Sequence, residues 1–284
     1  MSKIAIITDT DASLPVEIAA AYGIHLVPIT IHFDDETYLT DKDINDEQLF
    51  DRVDQEGVLP TTSAPSPGAF VDAFQAAFDN GADGIICINV SSEISATYAA
   101  AMNAREMFPN KDISIIDSRS LSLGQGFMVL AAAEAAKRGA SKDEIISIAK
   151  DVRERTQLYV ALSTLKYLAM SGRVGHLAAG MASLFNVKPI LTVQNGKLEM
   201  LEKVRTQRKA WGRVISLVQE SVGNKEIERM AIVHVRAKED AAEFQAQLCA
   251  EVGCPQEIML AELTPGLSVH AGAGLVGAAY VVSQ

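Results

Sequence analysis

The chain has 284 residues, 36 acidic against 25 basic for a net charge of −11, and is 48% hydrophobic with 6% aromatics. That balance excludes a general electrostatic footprint for nucleic acid or an anionic membrane surface. Its apolar runs all stay short of the roughly 20 residues a membrane span requires, and its length predicts two α/β domains.

The chain opens with Met1-Ser2-Lys3 and passes directly into an apolar run over 4–8 that reads as a buried strand, without a leader-like segment. Ser13-Leu14-Pro15 starts a helix that Gly23 can end, and a second strand is expected over 24–31. Asn45 with Gln48 forms a capping box, and Ser66-Pro67 starts a helix with Phe70, Phe74 and Phe78 on one face. Loops are expected just upstream of both. Residues 85–90 and 113–116 are further strands, followed by helices from about Ala96 and Gly124. This alternation predicts a mainly parallel sheet, with ligands held where strand ends meet helix starts.

Ser141 and Glu144 cap the next helix, and residues 158–162 form a short strand. The domain boundary is placed there, giving an N-terminal α/β domain over 1–160 and a C-terminal one over 161–284. The second part begins with a helix at Leu165-Lys166-Tyr167-Leu168 that stops near Ser171-Gly172. A hairpin over 190–204 turning at Asn195-Gly196 follows, then a long helix through Trp211, Val214, Leu217 and Val218. Strands over 230–235 and 257–263 enclose a helix over 238–250, before a glycine-rich terminal segment. Cys87, Cys249 and Cys254 lack the paired spacing of a zinc site or redox pair, which fits a reducing cytoplasm.

Four separated segments carry the polar chemistry: Thr61-Thr62-Ser63, the Ser91-Ser92-Glu93-Ile94-Ser95 run, Arg205, and His270 between small residues and Gly272. Neutral hydroxyl donors, one cation and one imidazole suit the holding of a small anionic head group, and no metal or cofactor is expected. The Thr61 run reads as a stiff loop before Ala64-Pro65, or as ordinary turn composition. Ser95 either caps a helix or points into the crevice, where the N–H groups of the first turn favour a carboxylate. Asp9 and Asp11 offer oxygen ligands for magnesium, or Asp11 or Ser13 merely caps the following helix. Asp117 orients a loop through backbone hydrogen bonds or lines the site. His25, His32 and His234 read as structural. His176, after Gly172-Arg173-Val174-Gly175, reads as part of a loop. Lys203, Arg205, Arg208, Lys209 and Arg213 read as a solvated helix face or an anion patch.

Over nearly its whole length the chain resembles the DegV family of bacterial proteins. The resemblance rests on Thr8-Asp9-Thr10-Asp11-Ala12-Ser13-Leu14-Pro15, the loop from Thr61 to Ser66, and Ser91-Ser92-Glu93-Ile94-Ser95-Ala96-Thr97-Tyr98. It extends through Asp117-Ser118, Leu123-Gly124-Gln125-Gly126, Leu165-Lys166-Tyr167-Leu168 with Gly172-Arg173-Val174, Lys188-Pro189-Ile190-Leu191, the stretch 205–210, and His270 with Gly272 and Gly274.

The resemblance implies two α/β domains enclosing a long-chain fatty acid at their junction, and a carrier rather than an enzyme. It further implies a separate ATP-dependent fatty acid kinase that phosphorylates the carboxylate for phospholipid synthesis, with ATP and magnesium on that partner. On this mapping Thr61, Thr62, Ser63, Ser92, Ser95 and His270 hold the ligand, and Arg205 and His270 support phosphoryl transfer. Membrane contact is transient. The chain departs from the family at Ala64, Ala96 and Ala273, where Gln, Gly and Pro are usual. The alternative from the residues alone is an autonomous α/β enzyme acting on a small carboxylate or phosphate, with His270 as acid or base and Asp9 or Asp117 as its partner.

Overall fold

The computed structural model describes residues 2–172 and 187–284. The stretch containing Arg173, Val174, Gly175 and His176 lies outside them. The N-terminal half begins with β1 (Ile4–Asp9), a 3₁₀ turn (Thr10–Ala12), α1 (Val16–Tyr22) and β2 (His25–Val27). The single strand expected over 24–31 is two: β3 (Thr30–Phe33) joins another sheet. Pro28, which has no N–H to donate, stands at the break. Then come β4 (Glu36–Leu39), α2 (Asp46–Glu56), β5 (Thr61–Ser63) and α3 (Pro67–Asp79). The expected capping box forms at Asn45 and Gln48. β5, expected as a loop, pairs antiparallel with β3.

β6 (Gly84–Asn89), α4 (Thr97–Arg105), β7 (Asp112–Asp117), α5 (Leu123–Lys137) and α6 (Lys142–Arg155) complete this half. Strands β2, β1, β6 and β7 lie in that order as a wholly parallel sheet, and β4-β3-β5 is a small antiparallel sheet beside it.

The second half is built on β8 (Thr156–Ala161), α7 (Lys166–Ser171), β9 (Lys188–Gln194), β10 (Lys197–Val204), α8 (Gln207–Val222), β11 (Ile227–His234), α9 (Lys238–Glu251) and β12 (Ile258–Glu262). The hairpin turns as expected at Asn195 and Gly196, both with positive φ (52° and 83°). The glycine-rich terminal segment forms α10 (Pro265–Ala271) and β13 (Val276–Val282). β13 is buried throughout and lies between β8 and β11 in a six-stranded mixed sheet of order β10-β9-β8-β13-β11-β12. Thus β8, where the domain boundary was placed, pairs with β9 and β13.

α5 stands between the two large sheets. Twelve of its 15 residues are buried, and it touches β1 and β6 on one side and β8, β11 and β13 on the other. A helix apolar on all sides belongs in such a position. Gly126 allows the approach, since a Cβ there would lie 2.8 Å from the Ala12 carbonyl oxygen.

The cysteine reading needs correction. Cys249 and Cys254 form a disulfide across the end of α9, whereas Cys87 is a buried free thiol whose pKa burial raises. Five residues of separation span the helix end and the turn after it, a spacing that matches no paired-cysteine pattern in the sequence. Among the described residues no helix is long and apolar enough to cross a membrane.

Candidate functional site

An aliphatic slot lies where the two halves meet. Leu158, Val160 and Leu162 supply one wall from alternate positions along and just beyond β8, with Leu191, Leu198 and Val233 from the same sheet. Ile94 and Leu121 close it from the first half, and Leu263, Leu267, Ala271 and Leu275 from the terminal segment. The stretch from Leu158 to Leu162 alone runs about 13 Å at strand spacing. The slot holds about 630 Å³ of space between atoms, its mouth included. Such a passage suits a methylene chain. Its polar residues are Ser122, Thr192 and His270.

His270 marks the slot's polar end. It lies in the last turn of α10. Gly272 ends that helix with φ 80°, and a Cβ there would meet the Tyr167 ring at 2.3 Å. The protein's own tyrosine thus occupies the close approach that glycine permits.

His270 Nε2 lies 3.0 Å from Thr62 Oγ1, a pair 208 residues apart in sequence. Two further bonds tie α10 and the residue before it to the first half: Thr264 Oγ1 donates to Thr10 O at 3.0 Å, and Ser268 Oγ donates to Asp46 Oδ1 at 2.5 Å. Both Ser268 and Asp46 are buried, and desolvation pushes the Asp46 pKa up to about 8, with help from Glu262 and Asp41.

Strand alternation separates the three hydroxyls of β5. Thr62 pairs with buried Ile31 and faces His270, whereas Thr61 and Ser63 lie on the exposed face. There Ser63 Oγ lies 2.9 Å from His32 Nε2, and His32 Nδ1 lies 3.1 Å from Thr37 Oγ1. Ser92 is exposed and donates to Asp117 Oδ2 at 2.6 Å, and Asp117 also accepts from the Ser92 and Arg119 N–H groups. Asp117 is therefore the orienting residue of that loop. Ser91 is buried and donates to Gly196 O at 2.7 Å, pinning the tip of the β9–β10 hairpin against the loop.

Ser95 is half-buried next to Ile94 of the slot. Its hydroxyl lies 2.8 Å from Thr97 Oγ1 and accepts the Thr97 N–H, while the cap position falls to Ala96, which has no side-chain bond to give. Arg205 is exposed in the bend between β10 and α8. Of the basic run, Arg213 is paired with Glu202 and Glu220, whereas Lys203, Arg208 and Lys209 are exposed.

The proposed acid–base partners of His270 are engaged elsewhere. Asp9 Oδ2 accepts from Asn89, Val90 and Gln125, and Oδ1 from the Asp11 N–H. Burial raises its pKa, and its work is to join strand ends to α5. Sequence reasoning missed Gln125 and the whole slot lining. The alternation at 158, 160 and 162 was visible, but nothing in it separates a slot wall from an ordinary core.

The family model described as "Uncharacterised protein, DegV family" matches residues 3–283. The chain belongs to the DegV family. A DegV domain-containing protein of Caldanaerobacter subterraneus is 34% identical over 277 residues, 98% of each chain. Protein DegV of Bacillus subtilis is 34% identical over 250 residues, 88% of this chain and 89% of that one.

Among solved structures, "Fatty Acid Binding of a DegV family Protein from Thermus thermophilus" aligns with a TM-score of 0.91 and 27% identity, covering 99% of this chain and 100% of that one. DegV, a fatty acid binding protein from Bacillus subtilis, aligns with a TM-score of 0.89 and 30% identity over 100% of both. Ala64 follows β5, Ala96 precedes α4, and the Ala273 carbonyl accepts a hydrogen bond from Ser163.

Proposed function

We propose that this DegV chain is a fatty-acid carrier: it holds a long acyl chain in the slot, with the carboxylate against Thr62 and His270. The observation that carries this reading is an aliphatic slot at the junction of two α/β halves whose lining includes His270, itself hydrogen-bonded to Thr62. Membership in a family with fatty-acid-binding structures supports it. Affinity then comes from methylene burial, at about 0.8 kcal/mol each, while neutral donors orient the carboxylate without locking it into a buried ion pair.

The same reading includes delivery to a separate ATP-dependent kinase in the cytoplasm, with transient contact at a membrane. A carboxylate oxygen attacks the terminal phosphorus of ATP, an acyl–phosphate bond forms, and ADP leaves. Arg205 and the His270 imidazole meet the charge that develops on the transferred group. Ser95, half-buried beside Ile94, joins Thr62 and His270 at the head group in this proposal, whereas Thr61, Ser63 and Ser92 lie on exposed faces. Division of the chain into 1–160 and 161–284 belongs to this proposal.

Native mass spectrometry of gently purified protein is expected to show bound long-chain fatty acid. Apo protein that takes up no added fatty acid would refute the reading. Removing the Thr62 hydroxyl is expected to weaken binding by about 0.5–1.5 kcal/mol, the usual worth of one hydrogen bond. Arg205→Ala and His270→Ala are expected to keep bound lipid but slow acyl-phosphate formation with kinase, ATP and magnesium. Equal lipid loss in all three variants, with normal reaction of the loaded fraction, would show that this division of roles is wrong.

A further inference from the structure

Ser122 differs from its neighbours in the slot wall. It is 1% exposed, yet its hydroxyl has no hydrogen-bond partner among the described residues, although buried hydroxyls in folded proteins are nearly always bonded. Its backbone is held at φ 51° and ψ −144°, close to a region that side chains other than glycine enter only at a cost. Main-chain bonds fix it on both sides: its N–H donates to Asp11 O at 2.8 Å, and its carbonyl accepts from Gln125 and Gly126 at 2.9 Å. A serine preceding a helix ordinarily caps it, but Ser122 makes no side-chain cap bond to α5. A strained backbone and an unbonded hydroxyl thus coincide at one residue, and that residue lines the slot.

We propose that Ser122 reads an oxygen substituent on the acyl chain, so that the slot selects a hydroxylated long-chain acid. This inference rests on the fatty-acid reading above. A hydroxyl is the matching group because Ser122 can either donate to it or accept from it. Apart from Thr192 and His270 the rest of the described wall is aliphatic, so a ligand hydroxyl set against that wall would be buried unpaired. The Ser122 hydroxyl, at a fixed distance from the head-group site, therefore selects the position of the substituent as well as its presence.

The test is equilibrium binding of stearic acid and a series of monohydroxystearic acids, with the hydroxyl moved along the chain, to the full-length protein. One position, or two adjacent ones, is expected to bind about three- to tenfold more tightly than the other isomers, as one added hydrogen bond allows. Ser122→Ala is expected to level the series. Ser122→Gly is expected to level it too and to raise the thermal midpoint, because glycine relieves the backbone. A flat series in the wild-type protein, with stearate bound, overturns the proposal, as does a peak that survives in Ser122→Ala. Failure of stearate and every isomer to bind removes the fatty-acid reading and this proposal with it.

Discussion

Leu198→Trp is expected to empty the protein of lipid. Leu198 projects from β10 into the slot and is only half-buried, so a larger side chain can be accommodated without rebuilding the core. The indole then fills space that methylenes need. Excluding even four of them removes about 3 kcal/mol, more than a hundredfold in affinity. This loss exceeds the one expected for Thr62→Ala, which removes a single hydrogen bond. The comparison tests where the affinity resides. Fatty-acid titration of both variants, with thermal melts to show that each is folded, decides it. A Thr62→Ala variant weaker than a folded Leu198→Trp variant would place the affinity at the head group and contradict the slot.

The first half was legible because its signals are local. The capping boxes at Asn45 and Ser141, the Ser66-Pro67 start and the apolar runs of β1, β6 and β7 lie where the sequence places them. β5 was not legible, because three small polar residues become a strand only by pairing with β3. That pairing decides which hydroxyl matters. It turns Thr62 toward His270 and leaves Thr61 and Ser63 on the opposite face, whereas a loop reading treats the three alike.

The terminal segment was not legible for another reason. Its glycines and small residues resemble a loop, although Thr264-Pro265 is a helix start and the last seven strand residues are wholly buried. Small side chains there serve close packing between neighbouring strands. The candidate head-group site depends on this segment, because α10 carries His270 across to Thr62. The sequence could nominate both residues as binders. Their meeting is a tertiary fact.

Asp46→Asn is expected to change the pH dependence of stability more than any surface substitution. Asp46 opens α2, is 3% exposed, and takes one hydrogen bond from Ser268 while its Oδ2 has no partner. Burial is the chief cause of its raised pKa, Glu262 and Asp41 add to it, and the Ser268 bond and Arg236 oppose it. With a folded value of about 8 against about 3.9 for an unfolded chain, the native state holds the proton more tightly. The stabilisation from that proton is complete below about pH 4, declines as pH rises, and is gone above about pH 8. Four units correspond to an upper bound of about 5 kcal/mol. Asparagine keeps an acceptor for Ser268 and cannot ionise, but it buries an amide with an unpaired donor at a cost of about 1–3 kcal/mol. The variant should therefore be the less stable protein near pH 4.5 and the more stable one near pH 8.5. Urea denaturation across that range should show the two stability curves crossing; parallel curves would mean that Asp46 is not a buried neutral acid.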